Sequence, residues 1–154
     1  MIEAPQGWIM DRGAGKQVGL CCVLYPKGSS WDGAESIMYP NISDKRPGQA
    51  SVQQLMEFDA SQFRTTNPLM RVSEADDVPA GRNGKAKVRY FLGVNKGAYE
   101  AVAYVDEPKV IAVLVLSSKT RKAFDESLPL FREFVKSYVY MDVVIKPAPI
   151  QSKK

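Results

Sequence analysis

The sequence predicts an α+β fold built on a central antiparallel β-sheet with both faces covered, and three observations carry that reading. Strand-length runs follow in close order, KAKVRYFLG (85–93), AYEAVAYV (98–105) and KVIAVLVLS (109–117), joined by VNKG and DEPK, each short enough for a hairpin. The third run is apolar at nearly every position, so neither of its faces meets water. Two segments carry helical rather than strand periodicity, one at 52–65 and one at about 119–138.

The elements follow from the N-terminus. GWIM (7–10) and QVGLCCVLY (17–25) are strand-like runs separated by a short polar segment with two glycines, which is hairpin composition. That segment contains GAGK (13–16) and invites comparison with a phosphate-binding loop. The comparison fails twice: a Walker loop needs an earlier glycine where Met10 stands and a hydroxyl where Gln17 stands. The segment also leads into a strand, so the sequence predicts a turn with no anion role. In PKGSSWDGAE, Ser29 followed by Asp32 predicts at most one turn of helix. SIMYPNIS (36–43) reads as a strand whose Pro40 suggests an edge or bulge, and DKRPGQA as a loop.

Ser51 and Gln54 form a capping-box pair, and Val52, Leu55, Met56 and Phe63 share one helical face, which predicts a helix over 52–65 ended at Asn67-Pro68. The polar stretch 69–84 is expected to hold one short strand near 70–72, with Asp76 and Asp77 in a loop. Phe124, Leu128, Phe131, Val135 and Tyr138 place a long helix at about 119–138, kinked or restarted at Pro129. Residues 1–146 are expected to form one domain, and KPAPIQSKK to end in a frayed tail at 147–154.

Composition narrows the chemistry. The 154-residue chain, 45% hydrophobic and 25% charged, has the make-up of an ordinary soluble globule. It contains no histidine, which removes the usual triads, histidine acid-base catalysis and most zinc or iron sites, so no metal or cofactor is expected. Its two cysteines, Cys21 and Cys22, are neighbours; in a strand they would face opposite ways, so two free thiols packed as small hydrophobes are expected. No run approaches the ~18 apolar residues of a membrane span. MIEAPQGW has neither a charged leader nor an apolar core, which fits a cytoplasmic chain, or a periplasmic or secreted one whose leader has been removed.

The net charge of +4 permits an acidic partner without requiring one. Lys85, Lys87 and Arg89 alternate along one strand and share a face, but no stacking platform accompanies them, so a solvated strand face is favoured over nucleic-acid binding. Asp106-Glu107 and Asp125-Glu126 suit a turn and a helix start. Glu100 is different: alternation puts it with Val102 and Tyr104 on a face expected to be covered, where a buried acid needs a partner, and Arg89 or Lys87 is the natural one. Trp31, in a polar turn, either plugs the end of the sheet or lines a pocket that Tyr39 joins. Trp31, Tyr39, Glu100 and Arg89 are therefore the candidate ligand-binding residues.

The order of PQGWIMD, a hairpin, YPKGSSWDGA, a strand, a capped helix, a three-strand meander with YEAVAYV and a final F...LP.F..FV.SY helix resembles the PsbP-like (Mog-like) group of small domains over nearly the whole chain. The resemblance implies helices packed on both sides of the sheet, an α/β/α sandwich. Members of that group are mostly binding or assembly factors, and no shared catalytic motif transfers. The expectation is a non-catalytic binding or accessory domain, exported if a leader is removed, for a protein or small-molecule ligand. The alternative is a small enzyme acting through Glu100 or a Cys22 thiolate in a pocket.

Overall fold

The computed structural model describes residues 1–45, 51–81, 84–93 and 98–141. Among these residues seven strands and three helices follow in order: β1 (Trp8–Asp11), α1 (Arg12–Gln17), β2 (Val23–Pro26), β3 (Ser36–Asp44), α2 (Val52–Thr66), β4 (Arg71–Ala80), β5 (Gly84–Leu92), β6 (Tyr99–Asp106), β7 (Val110–Ser118) and α3 (Arg121–Ser137). The strands form one antiparallel sheet in the order β1-β2-β3-β7-β6-β5-β4. The expected meander is β5-β6-β7, and the DEPK turn closes with the Glu107 amide donating to the Val110 carbonyl. VNKG, residues 46–50 of the DKRPGQA loop, and the 147–154 tail fall outside the described residues.

Alternation along the strands sorts side chains into separate cores. Ala101, Ala103 and Val105 of β6 and Leu114 and Leu116 of β7 pack with Phe124, Phe131, Phe134 and Val135 of α3. Val102 and Tyr104 of β6 and Ile111 and Val115 of β7 pack instead with Val52, Met56 and Ala60 of α2. Val23, Tyr25 and Ala34 form a third, smaller cluster that Trp31 and Tyr39 partly cover.

Both long helices start where their caps dictate. Ser51 accepts from the Gln54 amide while the Gln54 side chain accepts from the Ser51 amide, and Thr120 accepts from the Ala123 amide. α3 runs unbroken through Pro129, whose side is exposed, where the sequence suggested a kink or a restart.

The structure departs from expectation at four further places. GAGK is not a simple turn but lies in α1, a helix inserted into the β1–β2 connection. Asp11 caps it by accepting from the Ala14 amide at 2.8 Å, so the helix start is already occupied by a carboxylate. β2 is shorter than 17–25 because α1 and the bend after it consume the first half of that run. The short strand near 70–72 is instead the ten-residue β4, with a bulge between Ala75 and Val78 that carries Asp76 and Asp77, and with Pro79 tolerated because β4 is an edge. The turn after Lys27 is closed by Ser30, whose Oγ accepts from the Gly33 amide, rather than by Ser29.

Candidate functional site

Tyr39 on β3 lies where two clusters meet, one packed by α2 and the other partly covered by Trp31. The Trp31 ring stands edge-on to Tyr39 with centroids 6.1 Å apart and planes at 77°. Tyr39 is half-buried, and its phenol is pushed up to about 12 by burial and then by the charges of Glu100 and Asp59. Glu100 sits on β6 directly across from Ser117 of β7. Burial raises its carboxyl above the usual glutamate range, the Ser117 hydroxyl partly offsets this, and the charge of Asp59 adds to it.

Asp59 is a member of this cluster that sequence reading missed. It projects from α2 and accepts from the Tyr104 hydroxyl at 2.7 Å. Burial lifts its carboxyl, and the Tyr104 bond pulls it back. Its signal was present in the sequence, since Met56 and Ala60 flank it in the helix and both point to the sheet. A carboxylate inside that sequence span lies near the buried face.

Arg89 does not pair with Glu100. Only 7% exposed, it donates from Nε to Glu74 of β4 at 2.5 Å and from Nη2 to Glu57 of α2 at 3.0 Å. These bonds tie α2 and the edge strand to β5, and they hold the Glu57 carboxyl below its usual range. Lys85 and Lys87 on the same strand are exposed. Three of the four candidate residues, Trp31, Tyr39 and Glu100, thus come together around Tyr39, while Arg89 is committed to a neighbouring ion-pair network.

No family model matches the chain, and no curated protein matches it. Among solved structures, it is similar to the solution structure of cyanobacterial PsbP (CyanoP) from Synechocystis sp. PCC 6803, with a TM-score of 0.54 over 88% of this chain and 84% of that one, at 14% identity. The fold is PsbP-like.

Within this PsbP-like fold, two clefts among the described residues lie away from the Tyr39 cluster. One, of about 600 Å³, runs between Ala80, Gly84, Val105 and Tyr140. The other, of about 360 Å³, is bounded by Ile2, Met10, Ile42, Leu114 and the two cysteines. Both cysteines precede β2, so the strand rule that would separate them does not apply, and their sulfurs approach to 3.4 Å. Cys22 is a free thiol packed in the core as expected, whereas Cys21 is free but exposed. Burial, reinforced by Cys21, pushes the Cys22 thiol up to about 12, against a smaller pull from the Arg12 charge. A thiol held there is a poor nucleophile at neutral pH. Among the described residues, no three acids or cysteines gather as a metal-ligand cluster, and no helix is long and apolar enough to cross a membrane.

Proposed function

We propose that this chain is a non-catalytic binding or accessory domain, a sheet with one long helix on each face, that holds a partner protein through the sheet end carrying Trp31, Tyr39 and Glu100. The sandwich reading is supported by β6, whose alternate residues enter the α2 cluster and the α3 cluster in turn. The binding reading rests chiefly on Trp31, a large aromatic left part-exposed in a polar turn and braced edge-on by Tyr39. Rigid, half-exposed aromatics are the residues that carry binding energy at protein contacts. Glu100, behind Tyr39, contributes an acid whose charge a basic partner group would favour. Arg89 supports this surface from outside by anchoring α2.

Photo-crosslinking tests it. A benzophenone amino acid at Asp32, an exposed neighbour of Trp31, is expected to trap one protein of defined mass in the native source, and Trp31→Ala in the same background is expected to lose that adduct while melting as before. An adduct that persists in Trp31→Ala moves the contact elsewhere.

A further inference from the structure

The 360 Å³ cleft is the place where this chain concentrates its sulfur. Of two cysteines and six methionines in the sequence, both cysteines and two methionines line it, the methionines being Met1 and Met10. Met10, on β1 opposite Leu24, packs against the core cluster that contains Cys22. We propose that Cys21, Cys22 and Met10 form a binding site for a soft monovalent metal ion, Cu(I), held by two thiolates and one thioether.

The geometry supports three donors rather than two. Sulfurs 3.4 Å apart can both reach one ion at the ~2.3 Å of a metal–thiolate bond, but only with a strongly bent S–metal–S angle. Two-coordinate Cu(I) prefers a linear arrangement, so a bent pair calls for a third ligand, and Met10 supplies a soft donor on the lining of the same cleft. Thiolate and thioether donors select Cu(I) over harder ions. Zn(II) would lack the four ligands of its closed structural sites here.

Charge and backbone agree with this assignment. Loading replaces two thiol protons with one Cu(I), releasing both protons to solvent and leaving a net charge of −1 on the three-donor centre. Arg12, in the lining of the same cleft, supplies a compensating cation. Gly15 of α1 lies so close to Cys22 that a Cβ there would stand 2.5 Å from the Cys22 Cα, which fixes the backbone that presents the two sulfurs. The cleft opens on the sheet face opposite Trp31, since Leu24 and Met38 enter one cluster while Tyr25 and Tyr39 face the other, so this site stands independently of the partner surface.

The test is anaerobic titration of the reduced full chain with Cu(I) against bathocuproine disulfonate, a chromophoric Cu(I) chelator. The expected result is one Cu(I) retained per chain with a thiolate-to-copper band in the near ultraviolet. Cys21→Ser, at an exposed position and therefore folded, is expected to lose that stoichiometry. Met10→Leu is expected to weaken affinity about tenfold, equivalent to about 1.4 kcal/mol for a weak third donor. Complete stripping by the chelator, retention undiminished in Cys21→Ser, unchanged affinity in Met10→Leu, or equal retention of Zn(II) would each overturn the assignment.

Discussion

Glu100 costs the fold more as an anion than as a neutral acid, because its half-buried carboxyl faces Asp59 and two phenols, Tyr39 and Tyr104, with Ser117 as its cross-strand donor. A carboxyl raised in the native state binds protons more tightly folded than unfolded. The penalty is therefore full above the native pKa and vanishes below the unfolded value of about 4.3. Glu100→Gln is expected to raise the urea midpoint near pH 7.5, and the gain over the wild type is expected to shrink toward zero as pH falls to about 4, where Glu100 is protonated in both states. Equal midpoints at neutral pH, or a gap that widens on acidification, would contradict this account. The acid's burial was legible from strand alternation alone, but its neighbours were not. Arg89 lies on the adjacent strand and the same face, yet Glu57 and Glu74 reach it first, and which carboxylate wins depends on how α2 docks.

α1 shows how packing rather than propensity makes an element. Six residues with two glycines have no intrinsic claim to helix, so the sequence predicts a turn there. The helix exists because Asp11 caps it and because Gly15 lets it lie directly against the Cys22 backbone. The two glycines give a paired test. A Cβ at Gly15 would stand 2.5 Å from backbone, so Gly15→Ala is expected to destabilise by about 1–3 kcal/mol despite alanine's better helix propensity. A Cβ at Gly13 would meet only the Asp11 side chain at 3.5 Å, so Gly13→Ala is expected to be neutral or to stabilise by up to about 1 kcal/mol. Equal effects of the two in thermal unfolding would mean that the close approach carries nothing. By contrast, α2 and α3 were readable to within a residue or two, because the α2 capping box and the apolar stripes of both helices are local signals. β4 was not, since an edge strand wets one face and its bulge at Ala75/Val78 breaks the alternation a reader would count.

At the scale of the whole molecule, the sheet is assembled from two kinds of contact. β4-β5-β6-β7 is a run of sequence neighbours, and its β5-β6-β7 part could be anticipated from hairpin composition. The β3–β7 pair is different: Ser36 lies opposite Ser118 and Asp44 opposite Val110, a non-local seam that no local pattern announces. Ser36 and Ser118 hydrogen-bond through their hydroxyls at 2.7 Å in the interior at one end of that seam, and Lys45 pairs with Asp106 beside the other. Because β7 occupies the centre of the sheet and contributes to the clusters packed by both long helices, its amides are expected to open only with global unfolding. β4, with most of its residues exposed at the sheet edge, has the fewest constraints. Native-state hydrogen exchange is expected to rank the protected amides of β6 and β7 slowest, those of β3 next and those of β4 fastest, with the slowest set matching the global unfolding free energy. Were β4 to exchange as slowly as β7, the Arg89–Glu74 bond and the β4–β5 ladder would be binding the edge into the cooperative core, and the sheet would unfold as one unit from edge to edge.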